Sequence, residues 1–447
     1  MKPIVSILDY QDISSVAEVI ELCEGFKNLK RGDRVLLKPN LCTAGKGISP
    51  PFGAVTTTAV IEGLVRTLKD YGVKDISIGE GSVLDELGTS TQRAYEWINV
   101  HRLAKRYAVR LIDFNAGPHK RITVADVTMN IAVAALDTDF FINLPVLKTH
   151  FHTKVSLASK NLKGCLSITS KKHFHGTDGA LHYNISRLME TISQHLVVID
   201  GIYAMERGPD PSIGTAHPLG ILVASTDFLA ADAVGTRLLG IAPAEVDHLK
   251  LHAERYGKIN LLTHEESIEI RGGQIKDHAK QLSYTATLDR DIKSSGHTGL
   301  EVHLIGNTLC CGCYGNLTGP LVLLAALSHN QDFHGVRIIA GKSLKDDHNS
   351  PRTFLFGTCA IKENKHLDKA THITGCPPQF LTMCFFLARQ MPGLSARISF
   401  LCRFAVVCIK TVLGIGVLPL KRYKLYKGDS RYDLKHFCCH DQYRKIR

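Results

Sequence analysis

The sequence lacks any run of about 18 uncharged apolar residues, so it predicts no membrane-spanning helix. Its first apolar stretch is interrupted at Asp9 and is too short for the hydrophobic region of a secretory signal. No segment repeats with a period of roughly 20–50 residues, which excludes solenoids and propellers. These absences lead us to expect a cytoplasmic protein without internal repeats.

Cysteine is scarce in the first two thirds of the chain and frequent in the last third. Three cysteines (Cys23, Cys42 and Cys165) precede residue 310, and the other ten of the 13 lie at or after it. In a reducing compartment, a local group of cysteines binds a metal more often than it forms disulfides. The distribution therefore predicts a metal site in the C-terminal part of the chain.

The net charge of +12 is distributed unevenly. Residues 421–447 contain nine Lys and Arg against three Asp, which accounts for half of the excess positive charge. The rest of the chain is only mildly basic, so we expect no nucleic-acid partner. With 447 residues, 44% of them hydrophobic, the chain is long enough for two or three domains with their own cores.

Short β-branched runs alternate with amphipathic helical patterns over residues 1–256. This alternation predicts an α/β fold with an open, mostly parallel sheet and helices on both faces. The predicted strands are Pro3–Leu8, Arg34–Lys38, Asp75–Gly79, Val109–Asp113, Asp139–Leu144, His195–Asp200 and Gly220–Ala224.

Three further regions follow along the chain. Residues 257–298 are polar and are predicted to be a connector or a small β insertion. The alternation resumes over residues 299–391, which predicts a second, smaller α/β domain. Residues 392–447 are predicted to be an apolar or amphipathic helix and a basic tail.

Three predicted strands of the second domain end in glycine and are followed closely by cysteine. The segments are Gly306-Asn307-Thr308-Leu309-Cys310-Cys311-Gly312-Cys313, Gly357-Thr358-Cys359 and Gly375-Cys376-Pro377-Pro378. The carboxyl ends of parallel strands share one edge of a sheet, so we expect these thiols to converge. The predicted metal ligands are Cys310, Cys313, Cys359 and Cys376. Four thiolates suit a [4Fe–4S] cluster or a zinc ion.

This ordered set of cysteines resembles the proximal-cluster domain of nickel–iron hydrogenase small subunits and the related cluster-bearing subunit of respiratory complex I. The resemblance implies a flavodoxin-like domain that holds one [4Fe–4S] cluster. The chain departs from the hydrogenase pattern at Leu309, where an acidic residue is usual, and after Cys359, where a Gly pair is missing. The complex I relatives begin with adjacent cysteines, so Cys311 is an alternative to Cys310 as the first ligand.

Polar residues stand at the predicted carboxyl ends of several strands of the first domain. On a parallel sheet they would line one crevice, with lysines opposite carboxylates, which suits a small anionic substrate. We assign substrate binding to Lys38, Asn40, Lys160 and Asn161. We assign catalysis, with His150 in proton transfer, to His150, Lys148, Glu80 and Asp200.

The same residues resemble the proteins grouped under domain of unknown function 362, over roughly residues 30–250. The matching segments are Lys38-Pro39-Asn40, Gly79-Glu80, Leu147-Lys148-Thr149-His150, Lys160-Asn161-Leu162-Lys163-Gly164, Asp200-Gly201 and Gly208-Pro209. Members of this family are often associated with iron–sulfur centres, frequently through a CxxCxxC segment that this chain lacks. The resemblance implies an iron–sulfur protein and supplies no reaction.

The segment from Ile398 to Leu420 is apolar except for Arg403 and Lys410, and basic residues follow it. Such a helix can lie in a membrane interface, with its apolar side in the bilayer and its basic residues on anionic lipid. A helix packed on the protein, followed by a solvated tail, explains the pattern equally well. The first interpretation makes residues 398–427 a peripheral attachment to an anionic membrane surface.

The leading functional prediction is an iron–sulfur redox protein, an oxidoreductase that passes electrons to or from the anionic substrate or a partner. No predicted strand is followed by the G-x-G-x-x-G nucleotide fingerprint, so the electron donor or acceptor is expected to be another protein. Two alternatives stay open. One is a non-redox enzyme for an acidic metabolite with a structural metal domain, and the other is an assembly or binding protein of a redox complex.

Overall fold

Residues 1–42, 51–83, 90–175, 180–209, 214–285, 292–293, 295–304, 309, 311–342, 345–413, 426 and 429–439 are described by a computed structural model. The chain divides into two units. Unit 1 comprises residues 1–45, 50–284 and 428–447, and unit 2 comprises residues 46–49 and 285–427.

Unit 1 is built on a large β-sheet. The described strands of this unit are β1 (Ile4–Asp9), β2 (Val35–Pro39), β3 (Ile76–Glu80), β4 (Arg110–Asp113), β5 (His119–Val124), β6 (Val127–Ala132), β7 (Phe140–Leu144), β8 (Val146–His150), β9 (Lys154–Val155), β10 (Leu196–Glu206), β11 (Thr215–Ser225) and β12 (Glu269–Gly272). Every strand predicted from the sequence for residues 1–256 is present. Strands β5 and β6 form a separate antiparallel hairpin.

The order of the strands creates a topological switch point in the large sheet, that is, a place where the chain changes the side on which it adds strands. Along its main path the order is β12-β1-β11-β10-β7-β2-β3-β4, and the pairs are parallel except for those of β11 with β1 and β10. Strand β8 pairs with β10 and β9. The chain places β3 and β4 on one side of β2 and later adds β7 on the other side. The carboxyl ends of β2 and β7 therefore flank the kind of crevice in which open α/β sheets bind ligands.

Helices flank this sheet, as predicted. They are α1 (Ser15–Leu22), α2 (Thr58–Tyr71), α3 (Thr91–Trp97), α4 (Val100–Tyr107), α5 (Val133–Leu136), α6 (Ala158–Asn161), α7 (Ile168–His173), α8 (Ala180–Leu188), α9 (Phe228–Leu238), α10 (Asp247–Arg255), α11 (Asn260–Thr263) and α12 (Ile275–His278). Short 3-10 helices lie at Leu162–Cys165, Pro243–Glu245, Glu265–Ser267 and Leu434–Phe437.

Helix α2 illustrates how local sequence sets these boundaries. The Thr57 side chain accepts a hydrogen bond from Val60 N (3.3 Å), which caps the amino terminus of the helix. The helix ends at Gly72, whose φ of 103° is accessible to glycine at little cost. Val60, Leu64 and Leu68 are spaced by four residues and are fully buried, so one face of the helix belongs to the core.

Unit 2 contains a second, all-parallel sheet. Its described strands are β13 (Thr298–Leu304), β14 (Asp332–Ala340), β15 (Thr353–Phe356) and β16 (Thr371–Ile373), and its helices are α13 (Cys311–Leu327), α14 (Gly357–Glu363), α15 (Phe380–Gln390) and α16 (Leu394–Leu413). The described strands follow the order β13-β14-β15-β16. The flavodoxin order 2-1-3-4-5 contains a reversal, and these four strands do not, because each connection leads to the adjacent position. The α/β class is as predicted.

Residues 257–284 belong to unit 1, although the sequence suggests a connector or insertion. Strand β12 pairs in parallel with β1, with Val5 opposite Ile270. This pairing supplies partners for backbone groups along one side of β1 that would otherwise form an open sheet edge. The polar composition of the segment reflects its position at the edge of the sheet.

Part of the basic tail also belongs to unit 1. Tyr203 Oη accepts a hydrogen bond from Asp433 N (2.8 Å), and the Tyr203 and Tyr432 rings stack with centroids 5.9 Å apart. Phe437 is 3% exposed and packs with Phe52. Residues 429–439 are therefore anchored on unit 1, where the sequence suggests a solvated basic tail.

Candidate functional site

The candidate site lies at the switch point between β2 and β7. Lys38, near the end of β2, is paired with Asn143 of β7. Glu80 is the last residue of the neighbouring strand β3, and Lys148 lies in β8, which begins soon after β7. The fold thus brings these polar side chains to one edge of the sheet, as predicted.

A buried ion pair forms the centre of the site. Lys38 Nζ lies 2.8 Å from each carboxylate oxygen of Glu80, and the two side chains are 0% and 2% exposed. The carboxylate also accepts the N–H groups of Leu41 and Gly81, each at 2.8 Å. Since buried charges are tolerated when they are paired and hydrogen-bonded, this arrangement satisfies both groups inside the protein.

A chain of side-chain amides extends from the ion pair. Asn161 Oδ1 accepts from Lys38 Nζ (3.2 Å) and from Asn40 Nδ2 (2.9 Å). Asn161 Nδ2 donates to Lys38 O (3.2 Å) and to Asn143 Oδ1 (2.7 Å). Because Lys38 can only donate, it fixes the orientation of the Asn161 amide, which in turn fixes that of Asn40. The Asn40 carbonyl oxygen is therefore directed at the next lysine.

That lysine is Lys148, whose ammonium group is enclosed by the protein. Its side chain is fully buried, and Nζ donates to Asn40 Oδ1 (2.8 Å) and Ala54 O (2.6 Å). The third neighbour is Cys42 Sγ at 3.8 Å. Burial lowers the pKa of Lys148, and the nearby Cys42 opposes that shift.

Two glycines allow the backbone to approach the ion pair. A Cβ atom on Gly164 would collide with Glu80 Oε1 and would lie 2.6 Å from Lys38 Nζ. A Cβ atom on Gly81 would collide with Gly164 O. The Lys160–Gly164 motif therefore ends in glycine for a steric reason, because a residue with a side chain does not fit against the Glu80 carboxylate.

The prediction that Asp200 lies opposite the lysines is not matched by its observed partners. Its carboxylate accepts from Thr57 N (2.7 Å) and from Ile202 N (3.1 Å). The side chain is buried, and burial raises its pKa to about 6. The acid therefore holds the start of α2 against β10, and the described residues offer it no lysine within ion-pair distance.

His150 is buried in the β8–β9 turn. Its Nδ1 accepts from His152 N (3.0 Å) and Thr153 N (3.3 Å), so a neutral ring carries its proton on Nε2. Burial, and secondarily the charge of Lys160, hold the pKa of His150 well below its ordinary value. Lys160 itself is 8% exposed and lies in α6. The predicted roles of these two residues stay predictions.

Several residues of the network were not singled out by the sequence. Lys171 Nζ donates to Gly81 O (2.6 Å) and Asn115 Oδ1 (2.8 Å), and burial lowers its pKa to about 8. Asn143 was recognisable only as an amide inside an apolar strand. Lys38, Lys148 and Lys171 together outnumber Glu80, so this network carries excess positive charge that suits an anion.

Asp232 is a further carboxylate that sequence patterns did not reveal. Lying in α9, it accepts Ala158 N at 2.7 Å and Ser159 N at 2.9 Å. These N–H groups open α6, so Asp232 caps a helix from a distant part of the chain. Burial raises its pKa to about 6. It positions α6, which carries Asn161 at the ion pair.

In unit 2, the cysteine segments meet at the carboxyl edge of the sheet. A Cβ atom on Gly357 would lie 3.3 Å from Cys313 Sγ and 3.7 Å from Gly375 O. Thr358 N donates to Gly375 O (3.0 Å), which joins the start of α14 to the loop after β16. Cys359 lies in the first turn of α14, which follows β15 directly, and Cys376 lies in the loop after β16. Three strand ends thus bring cysteine segments to one edge, as expected for a parallel sheet.

Thiolate sulfur is a suitable ligand for a metal ion at this edge. The described residues contain only part of the predicted ligand set. Cys313 is buried, Cys359 is half-buried and Cys376 is exposed. Among the described side chains, no group of three or more His, Cys, Asp or Glu is arranged to hold a metal ion. The predicted first ligand, Cys310, and the side chain of its alternative, Cys311, lie outside the described residues.

Residues 35–237 match the model of a protein family described as Domain of unknown function (DUF362). The match confirms the resemblance predicted from the motifs at the strand ends of unit 1. It contains every polar residue of the switch-point network described above.

The chain is also similar to individual proteins. It is 28% identical to the thylakoid-associated protein sll1697 of Synechocystis sp. over 239 residues, which are 52% of this chain and 72% of that protein. Among solved structures, a Thermotoga maritima protein has a TM-score of 0.32 and 14% identity, covering 54% of this chain and 58% of that one. The lactate racemase apoprotein of Thermoanaerobacterium thermosaccharolyticum has a TM-score of 0.35 and 11% identity, covering 94% and 93%.

The close approach at Gly164 predicts a strong effect of adding one methyl group. Gly164→Ala would force that group against Glu80, and we expect the free energy of unfolding to fall by about 1–3 kcal/mol. Gly32→Ala is the matched control, since a Cβ there meets nothing within 4 Å, and we expect a change within about 0.5 kcal/mol. Equal unfolding midpoints in urea for both variants would contradict the packing described here.

The raised pKa of Asp200 predicts a pH-dependent stability. Folded protein holds this proton more tightly than unfolded protein, so the contribution of Asp200 improves as pH falls from about 7 to about 4. Relative to Asp200→Asn, the native protein should gain about 2 kcal/mol of unfolding free energy over that range. Asp139→Asn is the control, because Arg34 lowers the pKa of Asp139 to about 2 and the difference should have the opposite sign at lower pH.

Proposed function

We propose that this protein is an iron–sulfur redox protein whose unit 2 holds a [4Fe–4S] cluster. The ligands would be Cys310, Cys313, Cys359 and Cys376, with Cys311 as the alternative to Cys310. The observation that carries the proposal is the meeting of three cysteine segments at the carboxyl edge of one parallel sheet. Zinc is the alternative metal, because four thiolates also suit it.

The local backbone supports a sulfur-rich centre at this edge. Gly357 and Gly375 have φ values of 88° and 134°, a backbone conformation that glycine adopts easily, just before Cys359 and Cys376. A side chain at Gly357 would press on Cys313 Sγ. When bound, a [4Fe–4S] cluster exchanges one electron at a time. The exposure of Cys376 would let a protein electron donor or acceptor approach this side of unit 2.

Unit 1 would supply the site for a small anionic substrate. The supporting observation is the excess of lysine over carboxylate at the β2–β7 switch point, the position at which open α/β sheets bind ligands. The Lys38 charge is matched by Glu80, so Lys148, Lys160 and Lys171 would attract the anion. His150 would take part in proton transfer through Nε2.

The same observation favours a second candidate, a non-redox enzyme acting on an acidic metabolite. In that case the metal domain would be structural, and activity would depend on Lys148 and His150 and not on the oxidation state of iron. A protein that assembles or docks on a redox complex is the remaining alternative. It would bind its partner stably and show no turnover alone.

We also propose that unit 2 attaches peripherally to anionic membranes. Helix α16 exposes apolar side chains at Ile398, Cys402, Ala405 and Ile409, a spacing of four, three and four that defines one helix face. Ile398 and Ile409 are 52% and 58% exposed, whereas Phe400 and Phe404 on another face are buried. Lys421, Arg422, Lys424 and Lys427, which follow this helix in the sequence, would complement anionic headgroups.

The name of the Synechocystis relative, which describes it as thylakoid-associated, supports a membrane location. Within the described residues, no helix combines the length and hydropathy needed to cross a bilayer. The proposed attachment therefore uses an exposed helix face together with basic residues.

The cluster proposal is tested by anaerobic purification with iron and acid-labile sulfide analysis. We expect about four iron and four sulfide per chain and visible thiolate–iron absorbance, both lost in Cys376→Ser. Cys402→Ser is the control, since this exposed cysteine of α16 lies outside the predicted ligand set. Zinc without sulfide would favour the structural-metal alternative, and a colourless protein free of metal would end the proposal.

Membrane attachment is tested by sedimentation with vesicles of equal phosphatidylglycerol and phosphatidylcholine. Ile398→Glu puts a charge on the exposed apolar face and should weaken binding by about tenfold or more. Ser399→Glu adds the same charge to the neighbouring exposed position outside the apolar face and should bind nearly as well as the native chain. Equal pelleting of both variants and the native chain would contradict insertion of this face.

A further inference from the structure

The buried loop of residues 51–57 forms part of the wall of the candidate site. Ala54 O accepts a hydrogen bond from Lys148 Nζ (2.6 Å), and Thr56 N donates to Asn40 O (3.0 Å). Asn40 N donates in return to Thr56 Oγ1 (2.8 Å). The surroundings of Lys148 and the position of Asn40 therefore depend on where this loop lies.

Phe52, in the same loop, contacts a distant part of the chain. Its ring centroid lies 5.3 Å from that of Tyr432 and 5.8 Å from that of Phe437. Both of these rings belong to residues 429–439, which we call the strap. Tyr203 of β10 is a further neighbour, with its ring centroid 4.8 Å away, and Phe52 is 5% exposed. The strap thus supplies two of the described rings that bury Phe52.

Gly53 connects Phe52 to Ala54 through a closely packed backbone. Its φ is 65°, and a Cβ atom on this residue would lie 2.9 Å from Ala204 O in β10. The loop therefore lies directly against the strand at this point. Because only this glycine separates the two residues, a displacement of Phe52 would also displace the Ala54 carbonyl group that binds Lys148.

Hydrogen bonds fix the strap on unit 1 at several points. Tyr432 Oη donates to Ala216 O (2.7 Å) in β11. Asn99 Nδ2, at the start of α4, donates to Phe437 O (3.0 Å). Together with the contact to β10 described above, these bonds hold the two strap rings against the 51–57 loop.

We propose that the strap is a positioning element of the candidate site and that it holds the 51–57 loop in the conformation that surrounds Lys148. The functional consequence rests on the anion site proposed above for unit 1. Without the strap, Phe52 loses two of its packing partners and the loop loses its support. A site that is less well ordered before binding pays more to order itself, so its affinity for an anion falls.

The first measurement is hydrogen–deuterium exchange of the full chain, followed by mass spectrometry of its peptides. In Phe437→Ala we expect the peptide that covers residues 51–57 to exchange about tenfold faster, because packing that opposes local opening is lost. Leu434→Ala is the matched control, since Leu434 belongs to the same short helix of the strap but is 57% exposed. The peptide that covers β3 reports whether unit 1 as a whole stays folded.

The second measurement is the binding of inorganic phosphate to the same proteins by calorimetry. We expect Phe437→Ala to bind phosphate about tenfold more weakly than the native chain, and Phe437→Leu to recover most of the affinity by refilling the apolar space. A purely structural strap would leave the affinity unchanged while unit 1 is folded. If the native chain binds no phosphate, the proposed anion site is wrong, and the exchange rates alone decide about the strap.

Two results would overturn the proposal. One is an unchanged exchange rate of residues 51–57 in Phe437→Ala. The other is equal phosphate affinity of the native chain and Phe437→Ala when residues 51–57 exchange faster and β3 does not. If β3 also exchanges faster, the substitution has destabilised the whole unit, and Tyr432→Phe replaces it, because this variant removes the bond to Ala216 O and keeps both rings. A smaller acceleration at residues 51–57 is then expected, and none would equally overturn the proposal.

Discussion

The buried ion pair between Lys38 and Glu80 is the interaction on which the rest of unit 1 depends. It joins the ends of β2 and β3, and the Glu80 carboxylate also holds the backbone of the two loops that follow these strands. Removing one partner of such a pair leaves an uncompensated buried charge, which typically costs about 3–5 kcal/mol. The close packing of Gly164 against the pair, and the position of Asn161, follow from the same geometry.

Lys38 and Lys148 lie at one edge of the sheet and are both buried, but their ammonium groups have different partners. Lys38 has a carboxylate, so its charge is cancelled locally. Lys148 has two neutral oxygens and Cys42 Sγ as its neighbours, and burial lowers its pKa. The proposed binding of a small anion depends on the lysine charge at this edge that Glu80 does not match.

Much of this arrangement could be predicted because it follows from the pattern of apolar residues and from the order in which the strands occur in the sequence. Lys38 and Glu80 both stand at ends of apolar runs, and parallel strands bring their carboxyl ends to one edge. Asp200 also ends such a run, yet its partners are Thr57 N and Ile202 N. The difference is set by the path of the chain before α2, and side-chain periodicity carries no information about that path. Likewise, the polar segment containing β12 gave no sign that it completes the sheet beside β1.

The amino-acid sequence by itself determined the α/β class, the positions of the strands, the resemblance of residues 35–237 to a protein family and the polar residues at the strand ends. These features are encoded locally, in apolar periodicity and in short motifs. The tertiary structure alone decided which neighbour each charge received, how the tail packs around Tyr203, and why Gly164 must lack a side chain. Those contacts join residues far apart in the chain, and they depend on strand order and on the space that folding leaves between backbones.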